Sequence, residues 1–345
     1  MPTEMNITEK YVQDANRMAQ NILAYGKLGK PFLLFVHKSI DGDCIGSACG
    51  MADVLRQMGY SAYVAMPEKL LDNMAYMGVE DLLLFPYVDE LPFEDYIAFA
   101  VDCSEAHRMG YCGTLFDQKD AKLIIDHHVS VELRSEFYWI NGSVSSASEL
   151  CYYTVKELMK ITGNSDILTK RAAQSFLTGI VTDTGRFTYT NTKPETLLSS
   201  GELMSAGGDV SEICYNLFDR IKLNDFRLEA ELRTRAEFYA GGKIAMIRIK
   251  REDFEKFGAG NEAIDALPSA LRDIDGVELS VVIREASDRI RVNLRSQSYF
   301  NCAEFATSLG GGGHIRSSGF SRELDGPQTL DEIADDVIRK ASEII

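Results

Sequence analysis

Apolar and polar positions follow two spacings along this chain, and the places where one gives way to the other mark its elements. Between residues 8 and 27, charged and apolar positions recur at helical spacing, which predicts an amphipathic opening helix. The run PFLLFV (31–36) is apolar throughout, as a strand buried on both faces is. IGSACGMADVLRQMG (45–59) returns to helical spacing and stops at Gly59. SAYVAM (61–66), YIAFAV (96–101) and AKLII (121–125) are further short apolar runs. Continuous apolar strands separated by helical stretches predict an α/β fold: a parallel sheet with flanking helices.

From about residue 145 the spacing is helical. SASELCYYTVKELMKITG (146–163) has a serine start and a glycine stop, and helices over 168–185, 193–208 and 223–239 follow. YAGGK (239–243) breaks the run and opens a strand, IAMIRI (244–249). VELSVVIREASDRIRVNLRS (277–296) alternates as a hairpin does, around a polar turn at Ala286–Asp288. A helix near 301–309 runs into GGGGH (310–314), and a last helix, 329–344, starts after Pro327. A chain of 345 residues exceeds one ordinary core. We expect an α/β domain over 1–210, a helical connector over 211–240 and a smaller α+β domain over 241–345.

Composition narrows the function. No apolar run approaches the ~18 residues of a membrane span. The opening segment is polar and acidic, unlike a signal peptide, so a cytoplasmic protein is expected. Seven cysteines without a CxxC pair argue against a disulfide framework and against a structural zinc site. Cys44 and Cys103, beside acidic residues, read as small buried fillers. The net charge of −16 would repel a long polyanion, which argues against a grip on long nucleic acid. A small phosphate compound, bound through metal ions and a few local arginines, remains compatible.

The candidate chemistry lies where the apolar runs end. His37, Asp41 and Asp43 follow FLLFV; Asp102 follows YIAFAV; Asp126, His127 and His128 follow KLII. In an open parallel sheet these C-terminal ends lie along one edge, where ligands bind. Asp183, in IVTDTGRF, sits late in a predicted helix released by Gly185 and could face the same edge. Carboxylates with a few imidazoles suit manganese, magnesium or iron. Asp41 and Asp43, two apart, are expected to project the same way from an extended stretch. Asp41, Asp43, Asp102 and Asp183 would balance two divalent ions, and a bridging carboxylate would hold these ~4 Å apart. Any one aspartate is explained as a turn residue; the whole set with three histidines is not. GDCIGSACG invites comparison with a phosphate loop but lacks its GK[ST] end.

A second group lies in SLGGGGHIRSSG (308–319). Its glycines, Gly312 and Gly313 among them, let backbone N–H groups approach a ligand. His314 and Arg316 follow, and Arg295 sits on a nearby predicted strand; together they could clamp a phosphate or a terminal nucleotide. A flexible turn before a strand is the alternative. Arg108, six residues past Asp102, could reach a phosphate in the crevice or be a surface arginine. His107 reads as a bystander, and Arg186, beside Asp183, as part of an ion pair.

HKSIDGDCIGS, VDCS, DHH and TDTG are similar, in order and spacing, to the four motifs of the DHH phosphoesterase superfamily. GGGGHIRSSG resembles the glycine-rich signature of its DHH-associated C-terminal domain, so the resemblance spans roughly residues 20–340. The nearest branch is the stand-alone two-domain group, which includes bifunctional oligoribonuclease/PAP phosphatases and cyclic-di-AMP or pApA phosphodiesterases. The resemblance implies one divalent ion on His37, Asp41 and Asp102, and a second on Asp43, Asp102, His127 and Asp183, with Asp102 bridging. It implies manganese first, with magnesium or iron possible by ligand chemistry. His128 is implied to touch the scissile phosphate and help protonate the leaving oxygen, and Asp126 to orient the loop and its histidines. Arg108, Arg295, Gly312, Gly313, His314 and Arg316 are implied to hold substrate.

The implied activity is metal-assisted hydrolysis of short oligonucleotides or small phosphoadenosine nucleotides by a water between two ions. Ile40 stands where the family often has proline, and SSG replaces its commoner alanine pair; neither removes a ligand. A pyrophosphatase or exopolyphosphatase, a RecJ-like exonuclease on long strands and a non-catalytic nucleotide-binding regulator are the alternatives. The glycine signature, the acidic charge and the intact ligand set weigh against them in turn. Apolar segments in the helical middle would suit a homodimer.

Overall fold

The computed structural model describes residues 9–120, 122–128, 135–286, 288–323 and 328–345. Thr8, Ala121, Ser287 and Pro327, which border or fall inside expected elements, lie outside the described residues. The chain divides into two compact units after Arg220.

The first unit contains α1 (Glu9–Gly26), β1 (Phe32–Phe35), α2 (Gly42–Gln57), β2 (Ala62–Ala65), β3 (Leu83–Leu84), β4 (Ile97–Val101) and α3 (Cys112–Asp117). It continues with β5 (Lys122–Asp126), β6 (Tyr138–Ile140), α4 (Ala147–Thr162), α5 (Lys170–Asp183), α6 (Pro194–Ser205) and α7 (Val210–Cys214). Among the described residues the sheet has six strands in the order β3-β2-β1-β4-β5-β6, and each pairing is parallel. The apolar runs are continuous because both faces are covered. Phe32 and Leu34 enter one core with α1, α2, α4 and α5, while Leu33 and Phe35 enter another with Met109, Cys112 and Phe116. The edge strands β3 and β6, two and three residues long, were not expected from the sequence.

GDCIGSACG is not a phosphate loop. It is the start of α2, and its glycines form a ridge at four-residue spacing that admits α5. A Cβ on Gly42 would stand 2.4 Å from Thr182, on Gly46 2.4 Å from the Ser175 carbonyl, and on Gly50 2.6 Å from the Phe176 ring. Residues four apart share a helix face, so this one ridge fixes where α5 delivers Asp183.

The second unit contains α8 (Leu223–Thr234), β7 (Glu237–Tyr239), β8 (Ile244–Ile249), α9 (Arg251–Phe257), α10 (Leu267–Arg272) and β9 (Leu279–Glu285). Then come β10 (Arg289–Ser296), α11 (Cys302–Ser308), β11 (Gly312–His314), β12 (Ser317–Glu323) and α12 (Leu330–Ser342). Its mixed sheet runs β11-β12-β10-β9-β8-β7, with β8 and β9 parallel and the other pairs antiparallel. Val281, Val292 and Leu294 face a core with α11 and α12; Ala245, Ile247 and Val282 face one with α8 and α10.

The stretch 211–240 is not one helix. A π turn, Tyr215–Asp219, follows α7, while α8 buries Leu228 and Leu232 in the second unit. The helix expected over 223–239 stops at Thr234, because Glu237–Tyr239 pairs with Ile244–Met246 across the Gly241–Gly242 turn. Among the described residues no helix is long and apolar enough to cross a membrane.

Candidate metal centre

Adjacent parallel strands bring the ligand-type residues to one edge. His37 follows β1 by two residues and is buried; Asp102 directly follows β4; Asp126 ends β5, with His127 and His128 next. Asp183 ends α5. Asp102 is 1 % exposed and sits at φ +55°, the left-handed region that aspartate tolerates better than most residues.

Asp41 and Asp43 do not project together from an extended stretch. Asp41 caps α2, its Oδ1 accepting the Cys44 N–H at 2.9 Å, while Asp43 lies in the first turn and is fully buried. The helix that starts between them carries the two carboxylates to different histidines. Asp41 Oδ2 faces His37 Nε2 at 3.6 Å, and Asp43 Oδ2 faces His127 Nε2 at 3.7 Å.

The two clusters meet at Asp102. Its Oδ2 lies 3.2 Å from His37 Nε2; its Oδ1 lies 3.4 Å from His127 Nε2 and 3.3 Å from His128 Nδ1. His127 Nε2 is also 3.2 Å from Asp183 Oδ2. His128 Nδ1 pairs with Asp126 Oδ1 at 2.9 Å, and the same oxygen accepts the His128 backbone N–H at 3.0 Å. Donor atoms of Asp43, His127 and Asp183 lie within 4.8 Å of one another, as do those of Asp102, His127 and His128, and those of His37, Asp41 and Cys44. Cys44 is buried, and burial together with Asp102 and Asp41 pushes its thiol far above the usual range, consistent with a filler.

This density of carboxylates is costly without cations. Burial, then Asp102 and Asp183, push the Asp43 carboxyl well up. Burial raises Asp183 to about 7, with Asp102 and Asp41 adding to it and His127 opposing. Burial would raise Asp102 too, but the three imidazoles hold it well below the usual carboxylate range. Burial pulls His127 down, yet Asp102, Asp43 and Asp183 bring it to about 9; Asp102 and Asp126 bring His128 to about 10. Among the described residues Asp102 Oδ1 is buried and makes no well-formed hydrogen bond. A buried acceptor left over among carboxylates and imidazoles fits a divalent cation of the manganese, magnesium or iron type.

The second side of Asp43 shows how its rotamer is fixed. Its Oδ2 accepts the Ala147 N–H at 2.7 Å and its Oδ1 the Ser148 N–H at 2.8 Å, the first free amides of α4. Sequence reasoning took Ser146 only as a helix start and missed this cradle. After Asp183 the chain passes through Gly185, Arg186 and Phe187, all with φ between 52° and 64°. Arg186 pairs with Asp219 at 3.1 Å and lies over the Phe218 ring.

The candidate substrate contacts divide between the units. Arg108 is half-buried in a 3-10 turn, Ala106–Met109, and its carbonyl accepts the Lys38 N–H at 2.7 Å, next to His37. Its side chain forms no ion pair among the described residues. His107 is exposed beside Glu105. In the second unit, GGGGHIRSSG forms the β11–β12 hairpin, and Arg295, Ser317 and His314 stand in one row across β10, β12 and β11. Gly311 and Gly313 are required by the hairpin, since a Cβ would stand 2.2 Å from the Gly319 carbonyl and 2.7 Å from the Ser317 carbonyl. Gly312 is open, with no neighbour among the described residues in the place of a Cβ. Arg316 turns its guanidinium to the Phe300 carbonyl at 3.1 Å.

The family described as "DHH family, N-terminal domain" matches residues 31–180, and the "DHHA1 domain" matches residues 241–343. The chain is 31% identical to the bifunctional oligoribonuclease and PAP phosphatase NrnA of Bacillus subtilis, over 84% of this chain and 88% of that protein. It is 28% identical to the protein of the same name from Thermus thermophilus, over 89% of each. Among solved structures, an exopolyphosphatase-related protein of Bacteroides fragilis shares the fold, with a TM-score of 0.80, 23% identity, and coverage of 95% of this chain and 97% of that one.

Proposed function

The chain belongs to the DHH family, and from that premise we propose that it is a two-metal phosphoesterase acting on short oligoribonucleotides, pApA and PAP. At the coarser level it is a metal-dependent hydrolase of phosphoric ester bonds in small nucleotides. The observation that carries the two-metal part of this reading is Asp102, whose two carboxylate oxygens face different histidine clusters, Oδ2 toward His37 and Oδ1 toward His127 and His128; the substrates follow the relatives.

In this reading His37, Asp41 and Asp102 hold one ion, and Asp43, Asp102, His127 and Asp183 the other, manganese being the first choice. When bound, the ions would polarise the phosphate and lower the pKa of a water between them. The protein's own groups do the rest. With its Nδ1–H held by Asp126 at 2.9 Å, His128 donates from Nε2 to the leaving oxygen as the doubly protonated ring. Asp126 fixes the ring orientation. Arg108, Arg295, His314 and Arg316, with the N–H groups of Gly312 and Gly313, bind substrate phosphates or the base. A cytoplasmic site of action belongs to the same reading. So does a homodimer, supported by the exposed Leu197, Leu198 and Met204 on α6.

The test is a substrate panel. With manganese, the protein is expected to release mononucleotides from pApA or a five-nucleotide RNA, or orthophosphate from PAP. Turnover of pyrophosphate alone would contradict the nucleotide reading, and turnover of none would contradict the enzyme reading.

A further inference from the structure

Glu149 is a buried carboxylate, 1 % exposed, with no cation beside it among the described residues. Such a group is costly to bury unless hydrogen bonds satisfy it. Serine at 146 and glutamate three residues on suggest a capping box, in which the glutamate reaches back to the cap's own N–H. Half of that box is made: Ser146 Oγ accepts the Glu149 N–H at 3.1 Å. The glutamate side chain goes elsewhere. Its Oε2 accepts the Ser145 N–H at 3.3 Å, the Ser145 hydroxyl at 2.5 Å and the Thr196 hydroxyl at 3.1 Å, and its Oε1 accepts the Tyr153 hydroxyl at 2.6 Å.

Two of these four bonds hold Ser145, two residues before the amides that cradle Asp43, and the other two hold the Glu149 carboxylate in place. The Ser145 carbonyl accepts the Asn191 amide N–H at 3.1 Å, and the same Asn191 nitrogen donates to the Asp183 carbonyl at 3.0 Å. Because both partners are carbonyls, the amide must present its NH2 group to them. Among the described residues Asn191 Oδ1 is buried without a partner. A continuous path therefore runs Asp43, α4 N-terminus, Ser145, Asn191, Asp183, and Glu149 anchors its middle.

We propose that Glu149 and Asn191 are positioning residues that fix the spacing of Asp43 and Asp183, and with it the affinity of the metal position these two share with His127. Neither touches metal or substrate. They hold two carboxylates that would otherwise move apart by mutual repulsion. The proposal rests on the two-metal reading above.

Metal-free protein titrated with Mn²⁺, with free Mn²⁺ followed by electron paramagnetic resonance, separates the two ideas. Wild type is expected to take up two ions per chain. Asn191→Ala and Glu149→Gln should bind one ion as wild type does and the second about 10-fold more weakly or worse, as loss of an outer hydrogen-bond partner does elsewhere. Their kcat should fall at low Mn²⁺ and recover in excess, with KM for pApA unchanged, and Glu149→Ala should be weaker again. Should Glu149→Gln not fold, Tyr153→Phe, which deletes one donor to Glu149, is expected to weaken the second ion by a smaller factor. Two ions bound with wild-type affinity in Asn191→Ala, whatever its melting temperature, would overturn the proposal. Absence of Mn²⁺ uptake by wild type would overturn the metal-centre reading instead.

Discussion

Gly179 of α5 lies so close beneath Asp43 of α2 that a Cβ there would stand 2.5 Å from Asp43 Oδ1 and 2.0 Å from Ser148 Oγ. The carboxylate is thus pressed between the α4 amides and a bare stretch of helix. Gly179→Ala should displace Asp43 or the start of α4. The expected cost is that of an overpacked core, about 1–3 kcal/mol, with weakened Mn²⁺ uptake. Gly201 of α6 is the control: no atom of the described residues lies within 4 Å of a Cβ there. Gly201→Ala should raise stability by roughly 0.5–1 kcal/mol, as in an exposed helix interior. Thermal melts of the two variants check both signs.

Asp102→Ala should lose metal and activity together, because both clusters lean on this one carboxylate. Calorimetric Mn²⁺ titration beside a pApA assay checks it. Activity retained with Ala at position 102 would refute the bridging role.

His127 and His128 are adjacent but serve different partners. His127→Ala should lose the ion placed between Asp43 and Asp183. His128→Ala should keep both ions while kcat falls about 10²-fold or more, the usual share of a general acid. Metal stoichiometry measured beside kcat distinguishes them. Equal loss of metal in both would show that the roles are not divided.

The metal-free protein should lose stability as pH rises. Asp183 has a folded value of about 7, raised from 3.8 by burial first and by Asp102 and Asp41 after it. Its contribution is therefore full below the unfolded value and lost as pH climbs through about 7. His127, raised from 6.5 to about 9 by Asp102, Asp43 and Asp183 against the pull of burial, acts in the same direction up to about 9. With chelator, the melting temperature should be higher at about pH 6 than at about pH 8. Ions compete with those protons, so the rise in melting temperature on adding Mn²⁺ should be larger at the higher pH. A smaller rise there would contradict the assignment of Asp183.

Much of this centre was legible because parallel strands buried on both faces read as plain apolar runs. The residue that ends such a run is thereby placed on the ligand edge, as Asp102 and Asp126 are. Geometry set by partners was not legible. The Gly42, Gly46 and Gly50 spacing resembles a loop until α5 is known to lie against it. Asp41 and Asp43 look equivalent until the helix start between them is seen. The helix expected over 223–239 lost its last residues to β7, whose pairing with β8 depends on a turn at Gly241–Gly242. The cradle for Asp43 comes from main-chain amides of Ala147 and Ser148, which carry no side-chain signal at all.

The most direct test of the account is pApA hydrolysis by chelated protein as Mn²⁺ is returned stepwise. The account predicts no AMP release without metal and a rise that tracks the second ion bound per chain. Full activity in the presence of chelator, or complete activity at one ion per chain, would contradict it.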